Sequence, residues 1–77
     1  MRTDDGRPKT EVAKLTATQR RVLTRIGQGR MTKEIAAELQ ITERGVKWHR
    51  EQIYTKLNLA GLADAVRAAV KLGLVVL

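Results

Sequence analysis

The sequence predicts an all-α domain of four short helices, and three observations carry that expectation. Apolar residues recur at intervals of three and four, the spacing that gathers them on one helix face. They are almost all Leu, Ile, Val and Ala, with no Phe, one Trp and one Tyr. That mixture lacks the aromatic and β-branched alternation of strands. Finally, 77 residues hold one domain with an economical core and no second one.

Residues 1–13 are rich in Asp, Arg, Lys, Thr, Gly and Pro and read as a flexible tail, which leaves 14–77 as the folded unit. Thr16-Ala17-Thr18-Gln19 has capping-box spacing, in which a hydroxyl accepts from the third amide and that residue reaches back. The first helix then places Val22, Leu23 and Ile26 on one face, and Gly27 and Gly29 end it. Thr32 is the expected cap of the second helix, with Glu34 favourable in its first turn. Ile35, Ala36 and Leu39 face inward, and the helix stops by Gln40.

A three-residue link, Gln40-Ile41-Thr42, leads to a third helix capped by Thr42 and running to about Leu57. Val46, Ile53 and Leu57 fall within about 20° of one another at 100° per residue and form its buried stripe. Arg44, Lys47, Trp48, Glu51 and Thr55 project from the other side. Asn58 tolerates the left-handed conformation that ends a helix. Gly61 starts a fourth helix with Leu62, Ala65, Val66 and Ala69 inward; Gly73 stops it, and residues 74–77 are expected to fold back over the core.

Lys and Arg number 15 against 8 acids, a net charge of +7. Such an excess on a small domain points to a polyanion, nucleic acid first and an acidic membrane second. Its placement sharpens this. Residues 15–33 hold Arg20, Arg21, Arg25, Arg30 and Lys33 with no acid, and residues 42–57 hold Arg44, Lys47, Arg50 and Lys56 against Glu43 and Glu51. The competing reading is a solvated surface that only confers solubility. With no cysteine there is no disulfide or thiolate metal site, which suits a reducing cytoplasm. The N-terminus has no apolar signal segment, and no apolar run is long enough to span a bilayer. Serine is absent, and no G-x-S-x-G, phosphate loop or carboxylate pair in an apolar cleft occurs, so no enzymatic chemistry is indicated. No cofactor is expected.

Two short helices joined by a three-residue turn, the second longer and carrying exposed cations, read as a helix-turn-helix. The wording is more specific. Leu15-Thr16, Arg21-Val22-Leu23, Gly29, Thr32-Lys33-Glu34-Ile35-Ala36, Leu39, Ile41-Thr42-Glu43-Arg44, Val46-Lys47-Trp48-His49-Arg50, Ile53, Lys56-Leu57 and Ala69-Val70-Lys71-Leu72-Gly73-Leu74 resemble, in order and spacing, the LuxR/FixJ/NarL-type helix-turn-helix DNA-binding domain. The resemblance covers about residues 14–77. It implies a four-helix bacterial transcription regulator, with the third helix in the major groove and the fourth as a dimer contact.

By position, the resemblance makes Lys47, Trp48 and Glu51 the base-contacting residues. Lys47 would donate to guanine and Glu51 would accept from a cytosine amino group. It makes Thr32, Lys33, Thr42, Arg44 and Arg50 the phosphate contacts, helped by backbone amides at two helix starts. Ala63, Asp64, Arg67, Ala68 and Lys71, on the exposed face of the fourth helix, would meet a symmetry mate, with Asp64 facing Arg67 or Lys71. Bland roles compete at several of these positions. Trp48 could cover apolar surface, Glu51 could pair with Lys47, and Arg50 could bury its stem beside the core. His49, the one histidine, reads as a packed, hydrogen-bonded structural residue and not a metal ligand.

Four positions depart from the family pattern. Gln40 and Gly45 stand where Gly and Thr are usual, Gly61 replaces a polar cap, and Trp48 is bulkier than the usual occupant. The expected partners are double-stranded DNA, a second copy of the chain on DNA, and RNA polymerase; no membrane partner is expected. Without a receiver or ligand-binding domain, the chain reads as a stand-alone regulator or one controlled by a separate partner, at work in the bacterial cytoplasm. Two other readings stay open: a promoter-reading domain of the sigma region-four kind, and a module that sequesters a related regulator without binding DNA.

Overall fold

The computed structural model describes residues 13–76. The expected tail falls outside them except for Ala13. The described residues form α1 (Ala17–Gly27), α2 (Thr32–Leu39), α3 (Glu43–Leu57) and α4 (Leu62–Lys71), the all-α order that the sequence predicts.

Local chemistry starts α1 and α3 as expected. Thr16 accepts from the Gln19 N–H at 3.1 Å while the Thr16 N–H donates to Gln19 Oε1 at 3.0 Å, so two otherwise orphaned donors are satisfied. Thr42 accepts from the Gly45 N–H at 2.9 Å. The start of α2 differs. Met31 is the cap and Thr32 is the first helical residue. Met31 has no oxygen to offer, so the Glu34 carboxylate works from the other side and accepts the Met31 N–H at 2.7 Å. The hydroxyl of Thr32 is thereby left for another partner. At α4 the cap residue Gly61 likewise makes no side-chain hydrogen bond. Asp64 substitutes for it by accepting the Ala60 N–H at 2.9 Å.

Left-handed residues close α2 and α3: Gln40 at φ 57° and Asn58 at φ 56°. At Gln40 this lets the Ile41 N–H bond the Ala36 carbonyl at 3.0 Å, which fixes the tight turn into α3.

The core joins Leu15, Val22, Leu23 and Ile26 to Ile35 and Ala36, to Val46 and Ile53, and to Ala65, Ala69 and Leu72. Gly27 ends α1 as expected, but what calls for glycine there is packing and not a left-handed turn. It is the last residue of that helix, where α4 crosses. A Cβ there would sit 2.6 Å from Ala69 Cβ and 2.8 Å from Val75 Cγ2, so the position demands the absence of a side chain. The turn itself follows at Gly29, with φ 84°.

Leu62 also departs from expectation. It is 63% exposed, because it lies in the first turn of α4, one turn ahead of the packed Ala65. Leu72 takes a place in the core instead. Leu74 and Val75 fold back onto the core as predicted, but Val76 is 91% exposed and Leu77 lies outside the described residues.

Polar side chains add two cross-links. Glu38 on α2 takes Arg25 Nε at 2.8 Å and Arg30 Nε at 3.3 Å, tying α2 to the end of α1. Gln19 is buried, and its Oε1 also accepts from Lys56 Nζ at 2.9 Å; the same ammonium donates to the Lys14 carbonyl at 3.1 Å. A buried amide oxygen is thus satisfied by a cation from the far end of α3.

Candidate nucleic-acid interface

The tight turn at Gln40-Ile41-Thr42 sets α3 against α2 with one face committed to the core. Val46 and Ile53 are buried and His49, Arg50 and Leu57 are half-buried. Arg44, Lys47, Trp48, Glu51 and Thr55 are all exposed, so helical spacing aligns them as one outward row. Its middle takes no part in an ion pair among the described residues. Among the described residues, ion pairs join Arg25 and Arg30 to Glu38 and Arg67 to Asp64, and Lys47 and Glu51 do not pair with each other.

Trp48 is 55% exposed. Its ring meets the His49 ring edge-on, with centroids 5.1 Å apart at 73°. It therefore projects from the helix instead of covering the core, while its neighbour limits its orientation. His49 is packed as expected but not hydrogen-bonded as expected, because its Nδ1 is buried with no partner among the described residues. Gly45 leaves space beside the row. A Cβ there would meet Thr42 Oγ1 at 3.2 Å, with Ile41 next at 3.9 Å.

Lys33, Thr42 and Arg44 are exposed near the starts of α2 and α3. The other two phosphate candidates, Thr32 and Arg50, are half-buried and joined to each other, with Arg50 Nη1 donating to Thr32 Oγ1 at 3.2 Å. That bond uses one guanidinium nitrogen and an acceptor lone pair. The remaining guanidinium N–H groups and the Thr32 O–H stay available as donors.

Several cations of the basic stretches serve the fold instead. Lys56 is drawn to Gln19 and the Lys14 carbonyl, Arg20 Nη1 donates to the Leu15 carbonyl at 2.9 Å, and Arg25 and Arg30 are held by Glu38. Sequence reading groups all four with the outward charge. Only their partners distinguish them, and for Lys56, Arg25 and Arg30 those partners lie on other elements.

On α4, Ala63, Arg67 and Lys71 are exposed and Asp64 and Ala68 half-buried. The Asp64 carboxylate is engaged within its own helix region by the Ala60 N–H and by Arg67. The backbone hydrogen bond, then the Arg67 side chain, hold it below the usual carboxylate pKa. Val66 and Val70, which sequence reading leaves out of this face, line an open apolar surface with Arg67 and Lys71. No cluster of potential metal ligands occurs among the described residues, and none of their helices is long and apolar enough to cross a membrane.

Residues 13–69 match the family described as bacterial regulatory proteins, luxR family. The chain belongs to that family. Its four helices are the family's helix-turn-helix DNA-binding domain, as the quoted motifs predict. Its relatives include named transcriptional regulators. An uncharacterized transcriptional regulatory protein, YhcZ of Bacillus subtilis, is 41% identical over 66 residues, 86% of this chain and 31% of its own length. The probable transcriptional regulatory protein NarL of Mycobacterium tuberculosis is 40% identical over 57 residues, 74% of this chain and 26% of its own. The transcriptional activator protein SolR of Ralstonia nicotianae is 38% identical over 63 residues, 82% of this chain and 27% of its own. The chain thus spans less than a third of the length of these curated relatives. No solved structure matches it at a significant level.

Proposed function

We propose that residues 14–77 bind double-stranded DNA sequence-specifically as a bacterial transcription regulator, with α3 in the major groove. The observation that carries the reading is the outward row of α3, which stands clear of the core with Lys47 and Glu51 unpaired to each other. In this reading Lys47, Trp48 and Glu51 meet base edges. Lys47 donates to guanine, Glu51 accepts from a cytosine amino group, and Trp48 lies against a thymine methyl or the sugar wall. Lys33, Arg44 and Thr42 hold phosphates at the helix starts, and the Thr32–Arg50 pair forms a single two-residue donor group on the backbone. The work would be done in the cytoplasm.

A single domain offers few base contacts, so specificity is supplied by two copies on two half-sites. The mate docks on α4 through the short side chains of Ala63 and Ala68, beside Val66 and Val70. Because Asp64 is already engaged by Ala60 and Arg67, it orders this face, and Arg67 and Lys71 border it.

Fluorescence anisotropy on duplexes selected from a random pool tests the assignment. Lys47→Glu is expected to lower affinity for the selected duplex at least tenfold while the helical circular-dichroism spectrum is unchanged. Equal affinity of the variant would remove α3 from the interface.

A further inference from the structure

A second feature lies between the start of α2, α3 and the first turn of α4. It is a half-enclosed depression of about 340 Å³, at the small end of the range for small-ligand sites, roughly 300–1,000 Å³. Its inner wall is aliphatic: Ile26, Ile35 and Val46, each at most 4% exposed, with half-buried Val66. Met31 and Leu62, 71% and 63% exposed, stand at its rim. These are two of the four large apolar side chains that the described residues leave in water, and both border the same hollow.

The polar part of the lining has a single character. Thr32, Arg30 and Arg50 contribute it, and among the described residues no carboxylate lines the hollow. Glu38 holds Arg30 only through Nε, at 3.3 Å, and Thr32 holds Arg50 only through one Nη. Both guanidinium groups are therefore anchored while other N–H donors remain free, an arrangement that loses little side-chain freedom on accepting an anion.

We propose that this depression is a binding site for a small amphiphilic carboxylate, a molecule with an aliphatic body and one anionic end. The body takes the exposed apolar surface of Met31, Leu62 and half-buried Val66 out of water and rests on the buried floor of Ile26, Ile35 and Val46. The carboxylate accepts from Arg50 and Arg30. Thr32 and Arg50 are also assigned to a DNA phosphate, so the site carries a consequence that rests on that assignment: occupant and DNA exclude each other, and the ligand acts as an effector that releases the domain.

The probe is decanoate below its micellar range, followed by ¹H–¹⁵N correlation spectra of the full chain. Saturable shifts are expected at Met31, Thr32, Ile35, Val46, Leu62 and the Arg50 side chain, with a dissociation constant on the order of 1 mM or tighter for so small a ligand. Acetate, which lacks the body, and decanol, which lacks the charge, should each bind at least tenfold more weakly. Leu62→Gln removes only an exposed rim residue, so it should weaken decanoate severalfold with the spectrum of the folded domain preserved.

Shifts spread over the other basic surfaces, equal binding of decanol, or an unaffected Leu62→Gln would each overturn the proposal. So would saturation of these residues by an acidic amphipathic peptide but not by decanoate, which would make the hollow a protein-docking site. The competition arm uses the selected duplex. Loss of DNA binding on adding decanoate, reduced in Leu62→Gln, is the expected result. If decanoate saturates the hollow and DNA binding is undisturbed, the effector role fails while the ligand site stands. If the domain binds no DNA at all, the DNA assignment fails, and the spectra still decide the site.

Discussion

Gln40 holds φ at 57° where the chain turns from α2 into α3, and an L side chain in that region costs about 1–2 kcal/mol. Glycine removes the cost but gives back up to about 1 kcal/mol by loosening the unfolded chain. Gln40→Gly should therefore raise stability by about 0.5 kcal/mol in urea denaturation, and Asn58→Gly by less, because Asn tolerates the conformation better. Asp64 makes a second prediction at this scale. Its pKa is lowered by the Ala60 N–H and by Arg67, so the folded state favours the ionised form. The stabilisation is complete above the ordinary carboxylate range, about 3.9, and fades as pH falls through the lowered value. Unfolding midpoints of Asp64→Asn should lie below the parent at pH 7 and converge with it in strong acid. The caps at Thr16 and Thr42 were legible because capping is a conversation among four neighbouring residues. The start of α2 was not: its satisfied donor belongs to Met31, a residue with nothing to accept with, and the Thr32 oxygen accepts from Arg50, eighteen positions away, instead of capping the helix.

Two glycines in helices have opposite meanings, and only the packing between elements separates them. Gly27 faces Ala69 Cβ and Val75 at under 3 Å, and Ala69 is fully buried and has no room to yield. Gly45 faces a hydroxyl at 3.2 Å on the exposed Thr42. Gly27→Ala should destabilise by about 1–3 kcal/mol through overpacking, although alanine is the better helix former. Gly45→Ala should stabilise by up to about 1 kcal/mol on propensity. Thermal unfolding of both variants checks the pair, and equal signs would contradict the crossing of α1 and α4. At this scale the existence and order of the helices were readable from periodicity. The inward placement of Leu62 was misread, because periodicity gives a residue's angle around its helix but not how far the neighbouring helix reaches along it.

For the whole molecule, net charge overstates what is available to a partner. Of the cations in the two basic stretches, Lys56, Arg25 and Arg30 are bonded to groups on other elements, whereas Lys33, Arg44 and Lys47 are exposed. With Arg50, these make four cations for DNA, so one domain should show a slope of log affinity against log salt of about −3 to −4. Arg44→Gln should reduce that slope by about 1. Lys56→Gln should leave it unchanged while lowering stability. The overall excess of charge was plain from composition, but its division between internal and external use depends on contacts that no local pattern encodes.

The link from Lys56 to Gln19 and to the Lys14 carbonyl bears on where this domain can be cut. It closes a ring of chain from residue 14 to residue 56, and both helices of the helix-turn-helix lie inside that ring apart from the last residue of α3. A shortened version beginning at Leu15 would keep every core side chain yet remove one acceptor of an ammonium drawn inward. Such a cut would leave Lys56 held by Gln19 alone, so the chain ahead of the first buried residue contributes to closing the ring through a backbone carbonyl.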